Sequence, residues 1–316
     1  MQKRKLGRSG LEVAPLALGG NVFGWTADDA TSFAILDAFV ARGFNLVDTA
    51  DMYSTWVPGH LGGDSEAVIG RWIAKRGRRD DVVIATKVGM QMGDGSKGLS
   101  KAHIVRSVEA SLTRLKTDYI DLYQSHVDDA EVALDETLEA HAQLVRDGKV
   151  RAIGASNHTG DRLLQARAVS PDHGLPRYES LQPLYNMLER SDFETNLAPV
   201  CLAEGLGVLP YFSLASGFLT GKYRSEADLG KSPRGAWVAK YLDARGHRVL
   251  AALDAAAAKH SATPSQIALA WLMAKPAVTA PIASASTLPQ LQEIMGAVDV
   301  ALDAGDVAGL DAASAG

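Results

Sequence analysis

Four residues in the first half of the chain have types suited to moving a proton together: Asp48, Tyr53, Lys87 and His126. Three of them close short apolar runs, Asn45 to Asp48, Val82 to Lys87 and Tyr119 to His126, and the interval from 48 to 87 equals that from 87 to 126. A tyrosine with a pKa near ~10 is a poor proton shuttle at neutral pH, but an adjacent ammonium stabilises its phenolate and lowers that value. Lys87 can supply that charge. A lysine at the end of an apolar strand needs a counter-charge to stay protonated, and Asp48 is the candidate. His126 would hydrogen-bond and orient a substrate oxygen. A proton donor aimed at a carbonyl or alcohol oxygen, with no protein nucleophile beside it, suits hydride transfer to or from a nicotinamide cofactor. On spacing alone, Asp48 with Lys87 also fits a structural ion pair between adjacent strands.

Equal spacing implies equal units. Each ionisable residue follows the last by about one strand and one helix, which predicts a parallel β/α barrel with reactive groups at the carboxyl ends of successive strands. Lys3 to Val13 reads as a hairpin turning at Gly7-Arg8-Ser9-Gly10 and capping one end of the fold (residues 1–13). Strands are expected at Val13–Leu18, Asn45–Asp48, Val82–Lys87, Tyr119–Gln124, Val150–Ala155, Ser180–Gln182, Gly207–Phe212 and Val278–Ile282. Segments of helical period separate most of them, one stopping at Asp147-Gly148-Lys149, a glycine C-cap signal. The expectation is a single (β/α)8 barrel domain over residues 1–316. Two long connections, Met52–Asp64 and Ser213–Trp237, follow strands and so belong at the catalytic mouth, where Trp25, Trp56 and Trp237 could line a cleft or anchor loops. The Ala/Asp/Gly-rich tail, residues 300–316, is expected to be a surface segment that frays.

Bulk properties narrow the partners. With 32 basic and 37 acidic residues scattered along 316 positions, no basic track for nucleic acid or anionic lipid is expected. Val13 to Leu18 is too short for a signal core or a membrane span. The single cysteine, Cys201, excludes an intrachain disulfide and a thiolate zinc site, and a cytoplasmic location follows as the expectation. No Gly-x-Gly-x-x-Gly occurs, which argues against a Rossmann domain.

Asp48, Tyr53, Lys87 and His126 together resemble the catalytic tetrad of the aldo-keto reductases. Gly62-Gly63-Asp64-Ser65-Glu66, Ile153-Gly154-Ala155-Ser156-Asn157, Gln182-Pro183-Leu184-Tyr185-Asn186 and the stretch Tyr211 to Tyr223 are similar to motifs of that family, and the likeness runs from about Gly7 to Met295. It is closer to the bacterial branch that reduces sugars and small aldehydes, and to the β-subunits of voltage-gated potassium channels, than to the aldose reductase branch. The resemblance implies an NAD(P)(H)-dependent oxidoreductase interconverting aldehydes or ketones and alcohols, with Tyr53 as general acid and base. It further implies that Gly20, Asn21 and Asp48 lie at the nicotinamide ribose, that Ser156, Asn157 and Gln182 hold the carboxamide, and that Tyr211 stacks on the ring. Ser213, Leu214, Gly217, Leu219 and Lys222 would line the pyrophosphate, and Glu293 matches a position on the adenine side.

One segment departs from the pattern. Where many members of that family set Lys or Arg against the 2′-phosphate of NADP, this chain has Ser284, Ser286, Thr287 and Gln290, and no basic residue between Val278 and Met295. NADP(H) and NAD(H) therefore both remain open as cofactors, with Arg234 in the seventh loop able to bring a charge from outside. Two other functions compete. One is a cofactor-sensing regulatory subunit with little turnover. The other is a metal-dependent hydrolase using His126, Asp128 and Asp129, disfavoured because no His-x-His closes a strand.

Overall fold

Eight short parallel strands form a closed barrel whose inward positions include Asp48, Lys87 and Gln124. The computed structural model describes residues 1–172, 174–232 and 234–316. An antiparallel hairpin, β1 (Arg4–Lys5) and β2 (Glu12–Val13), comes first. The barrel strands follow as β3 (Ala17–Gly19), β4 (Leu46–Asp48), β5 (Val83–Val88), β6 (Ile120–Ser125), β7 (Val150–Ser156), β8 (Ser180–Gln182), β9 (Gly207–Val208) and β10 (Ile282–Ala283). Each pairs in parallel with the next, and β10 returns to β3. A bridge between Val208 and Val278 and a hydrogen bond from the Ile282 N–H to the Pro210 carbonyl (2.9 Å) close the ring. The fold is the expected (β/α)8 barrel.

Strand side chains alternate between the two faces, and that period sorts the chain into floor, wall and site. Leu46, Val83, Ala85, Leu122 and Ala152 point inward and pack with Leu6 and Val13 of the hairpin, which plugs the amino-terminal end. Val47, Ile84, Tyr123 and Ile153 point outward into a larger core beneath the helices. Continuing the inward series one step up each strand reaches Asp48 after Leu46, Lys87 after Ala85, and Gln124 after Leu122. An ordinary apolar barrel core thus ends in a polar layer at the carboxyl-terminal mouth.

The surrounding helices are α1 (Asp29–Ala41), α2 (Asp64–Arg76), α3 (Lys101–Leu115), α4 (Leu134–Arg146), α5 (Gly160–Asp172), α6 (Ala198–Glu204, entered through a π-turn at Phe193–Leu197), the short α7 (Gly235–Val238), α8 (Ala244–His260), α9 (Pro264–Met273), α10 (Leu288–Met295) and α11 (Ala304–Ser314). Two features differ from expectation. The eighth strand, expected at Val278–Ile282, is β10 at Ile282–Ala283, and three helices, the short α7 and the longer α8 and α9, lie between it and β9. The tail, expected to be loose, forms α11, started by an Asp303/Asp306 capping box and docked on α8 and α9. Polar contacts hold it there: Trp271 Nε1 and Lys275 Nζ donate to Asp311 Oδ1 (2.8 and 2.6 Å), and Arg190 donates to Ser314 Oγ (2.7 Å). No described helix is long and apolar enough to cross a membrane.

Candidate active site

Lys87 is the centre of the polar layer. Its ammonium is fully buried and donates to Asp48 Oδ2 (2.7 Å), to the Thr49 carbonyl (2.8 Å) and to the Tyr53 hydroxyl (3.0 Å), using all three of its protons. Register explains the meeting: Asp48 pairs with Ala85 on β5, so Lys87 rises one inward step above Asp48 and under the turn that carries Tyr53. Burial works against the charged lysine, yet Asp48 and then the Tyr53 oxygen outweigh it and hold its pKa above the ordinary value. Asp48 is held from the other side by amide N–H groups of Gln182 (2.9 Å) and Gln124 (3.3 Å) on Oδ1. A buried pair whose remaining lone pairs are filled in this way keeps its geometry.

For Tyr53 the structure reverses a sign. Lys87 does favour the phenolate, as its charge should, but burial pushes the phenol up by more, the Asp48 charge adds to that push, and the net value lies above the ordinary one. Tyr53 is therefore a protonated donor at neutral pH, its hydroxyl held by Lys87 rather than pre-ionised by it. His126 faces it, with ring centroids 6.2 Å apart and the rings edge to face. Burial, followed by repulsion from Lys87, drives the imidazole well below its usual value, so the ring is neutral at pH 7. The His126 backbone is fixed at both ends, its N–H on the Val88 carbonyl (2.8 Å) and its carbonyl accepting from Asn157 Nδ2 (2.9 Å), while Nδ1 is buried without a partner.

A continuous chain of hydrogen bonds leads away from this centre through residues the sequence singled out. Gln182, bonded to Asp48, also offers its carbonyl to Ser156 Oγ (2.8 Å); Ser156 Oγ accepts from Asn157 Nδ2 (3.2 Å); and Asn157 Oδ1 accepts from the Tyr211 hydroxyl (2.8 Å). Asn157 adopts a left-handed backbone (φ 54°) to make both contacts. On the opposite side the Gly20 N–H donates to the Asp48 carbonyl (2.7 Å), and a Cβ at Gly20 would lie 2.9 Å from Ser65 Oγ on α2 and 3.0 Å from the Asp48 carbonyl oxygen, so a side chain here would crowd both neighbours. Asn21 Oδ1 accepts from Ser284 Oγ (2.6 Å).

After β9 the chain makes an unusual turn. Phe212, Ala215 and Ser216 all have positive φ (50°, 47° and 57°) ahead of Gly217 (98°), and such strain in non-glycine residues concentrates where a backbone must present groups to a ligand. Ser213 is fixed on the Pro210 carbonyl (3.0 Å) and Leu214 packs against the core, while Lys222 is exposed. Leu219 is fully buried and its N–H goes to the Leu214 carbonyl, so it supports this turn from beneath. At the far end Ser286 Oγ bonds Thr26 Oγ1 (3.0 Å), its N–H donates to Gln290 Oε1 (2.9 Å), and Thr287 caps α10. Glu293 accepts from Thr263 Oγ1 (2.9 Å), which ties α10 to α9. Hydroxyls, amides and strained backbone thus occur at Asn157 and Tyr211, in the turn after β9, and between Asn21 and Ser284, groups of the kind that bind a dinucleotide. A fixed cation for a 2′-phosphate is missing from α10 and the strand before it.

Several participants escaped the sequence reading. Gln124, two residues before His126 on the inward face, was available from the strand period. Thr49 contributes only a carbonyl, which no sequence pattern reports. Asp51, two residues before Tyr53, is buried with Oδ1 unpartnered beside Glu66, itself buried and bonded to Thr86 Oγ1 (2.6 Å) and Arg114 Nε (2.7 Å). Burial, then the Glu66 charge, pushes the Asp51 carboxyl up to about 8. The carboxylates a metal-dependent reading would need are engaged: Asp128 with Arg162 (2.8 Å) and Asp129 with the Leu99 N–H (2.9 Å).

Comparison with known proteins finds similar sequences along most of the chain. The sequence profile of the aldo/keto reductase family matches residues 15–315. Protein tas of Escherichia coli strain K12 is 36% identical over 321 aligned positions, covering 92% of this chain and 91% of that protein. An uncharacterized oxidoreductase, YrpG, of Bacillus subtilis strain 168 is 38% identical over 312 positions (96% and 93%). A probable voltage-gated potassium channel subunit beta of Arabidopsis thaliana is 34% identical over 308 (95% and 92%).

Proposed function

We propose that this chain, which belongs to the aldo/keto reductase family of NAD(P)-dependent oxidoreductases, interconverts small aldehydes or ketones and the corresponding alcohols, with Tyr53 handling the proton. The observation that carries the reading is the Tyr53 hydroxyl at 3.0 Å from a fully buried ammonium that Asp48 keeps charged. A nicotinamide cofactor supplies the hydride. The protein's own part is electrostatic: Tyr53, protonated at neutral pH, donates to the oxygen of the substrate, and Lys87 stabilises the phenolate left behind without having to move. Neutral His126 hydrogen-bonds the same oxygen and sets its direction. Asp48, with Gln124 and Gln182 behind it, prevents Lys87 from discharging during the step. Ser156, Asn157, Gln182 and Tyr211 would hold the nicotinamide end; Gly20 and Asn21 the ribose; Ser213, Leu214, Gly217 and Lys222 the pyrophosphate; Ser284, Ser286, Gln290 and Glu293 the adenosine end.

Tyr53→Phe removes the proton but keeps the ring. We expect turnover to fall by roughly two to four orders of magnitude, with NAD(P)H affinity, read by quenching of protein fluorescence, within about threefold of wild type. Turnover surviving within a few-fold would show that another group is the acid. The relative named as a potassium channel subunit beta supports a second reading, a cofactor-sensing subunit with slow chemistry. A stoichiometric burst without sustained turnover over a panel of aldehydes would favour it.

A further inference from the structure

The chain leaving β7 is held by side chains rather than by the sheet. Ser156, the last residue of β7, pairs with Gln182, and the next residue on the β8 side is Pro183, which has no N–H to extend the ladder. Three residues, 157 to 159, then carry the chain into α5 at Gly160. The first of them, Asn157, sits at φ 54°, a region that L-residues avoid unless local bonds hold them there. Asn157 supplies some of those bonds itself, donating from Nδ2 to the His126 carbonyl (2.9 Å) and accepting at Oδ1 from the Tyr211 hydroxyl (2.8 Å). His158 supplies another. Its side chain is buried, and Nδ1 lies 2.8 Å from the Ser156 carbonyl; a carbonyl only accepts, so Nδ1 carries the hydrogen. The rest of the ring packs without a competing bond. Tyr178 meets it edge-on (5.6 Å), and Nε2 has no hydrogen-bond partner among the described residues, lying 3.8 Å from Asp128 Oδ1, which already accepts from Arg162. Burial lowers the imidazole pKa, so at pH 7 the ring is neutral and Nδ1–H is its single donor.

We propose that His158 is a positioning residue for the nicotinamide end of the site: its Nδ1–H pins the Ser156 carbonyl and so keeps Asn157 in the left-handed turn that aims its amide at His126 and Tyr211. This rests on the assignment of Ser156, Asn157 and Tyr211 to the nicotinamide and deepens it by naming the residue on which their arrangement depends. His158 acts only through its neighbours. The pinned carbonyl precedes Asn157 and the imidazole follows it, so the two ends of the strained residue are tied to each other. With that tie cut, the Ser156 carbonyl loses its imidazole donor and Asn157 is free to relax to negative φ, which carries its amide off the Tyr211 hydroxyl and the His126 carbonyl. The pyrophosphate and adenosine ends, built from the turn after β9 and from α10, do not touch this turn and should not feel the change.

Two substitutions separate the hydrogen bond from the ring. His158→Phe keeps the ring and removes the donor, whereas His158→Asn places an amide N–H where Nδ1 was and removes the ring. Calorimetric titration of each protein with NADPH and NADH, and with the nicotinamide-free fragments ADP-ribose and its 2′-phosphate, reads the effect. His158→Phe should weaken both dinucleotides by roughly 5- to 100-fold, the range for leaving one buried carbonyl without its donor, and both fragments by less than about twofold. His158→Asn should stay within about threefold of wild type for all four. The proposal is overturned if His158→Phe binds the dinucleotides like wild type, if it weakens the fragments in parallel, or if His158→Asn loses as much as His158→Phe, which would give the effect to the ring. Should His158→Phe not fold, His158→Leu serves as the donor-free variant with the same expectations. If wild type binds neither dinucleotide, the cofactor reading fails on its own, and crystal structures of the two variants decide the role of His158. It stands only if Asn157 leaves the left-handed region in His158→Phe and keeps it in His158→Asn; any other pattern overturns it.

Discussion

Replacing Asp51 by asparagine should make the protein more stable, and more so as pH rises. Asp51 is 2% exposed, its Oδ1 has no partner, and the charged groups around it are Glu66 on α2, Arg114 on α3 and Lys87 on β5, with the Tyr123 phenol on β6 beside them. Glu66 already engages Arg114, so two buried carboxyls share one guanidinium, and burial followed by the Glu66 charge raises Asp51 from 3.8 to about 8. A carboxyl whose folded pKa lies above its unfolded one favours folding fully only below the unfolded value. As pH climbs through the window from about 4 to about 8 the unfolded chain releases this proton and the folded chain keeps it, so stability falls by about 1.4 kcal/mol per pH unit and levels off above the folded pKa. At pH 7 the accumulated penalty is about 4 kcal/mol. Asparagine keeps the size of the neutral acid and does not titrate, but brings one further buried donor that costs about 1–3 kcal/mol if unsatisfied. The expected net gain at pH 7 is about 1–3 kcal/mol. Urea unfolding of both proteins at half-unit steps from pH 5 to 8 measures the difference, which should widen steadily across that range. A difference that stays constant with pH would mean that Asp51 is ionised in the folded protein and that the acid pair beneath the Tyr53 turn carries no shared proton.

Two further outcomes follow from the same layer. Lys87→Met leaves the buried Asp48 with hydrogen-bond donors but no cation, so it should lower stability by about 3–5 kcal/mol as well as abolish turnover, both read on one preparation by urea unfolding and steady-state assay. Because burial and Lys87 keep His126 neutral, kcat/KM for carbonyl reduction should show no limb between pH 6 and 7; a limb there that disappears in His126→Gln would place a charged imidazole in the site.

The strands and the four-residue centre were legible because both are governed by short-range rules. Ser180–Gln182 was readable as a strand to the residue, and the inward positions follow from alternation once one of them is fixed. What escaped was whatever lacked contrast between faces. In α9, Ile267 to Leu272 is buried all round, so no polar face exists to set a helical period, and α8 is diluted by the run Ala255 to Ala258. For α11 the anchor is Asp311 and Ser314 accepting from Trp271, Lys275 and Arg190, partners more than thirty residues away, and a pairwise polar contact leaves no periodic trace.

The acidity of Tyr53 shows a different limit. Sequence supplies the identities of the neighbours and hence the sign of each pairwise effect: Lys87 lowers the phenol and Asp48 raises it. It does not supply burial, which here exceeds both and settles the sign of the sum. The consequence is directional. A phenol held protonated by its surroundings and steadied by an ammonium is ready to give a proton to a carbonyl at neutral pH, whereas alcohol oxidation needs it ionised first. Reduction should therefore stay level up to alkaline pH while oxidation climbs toward it, and the same residue can serve both only because Lys87 holds the hydroxyl in place whichever form it takes.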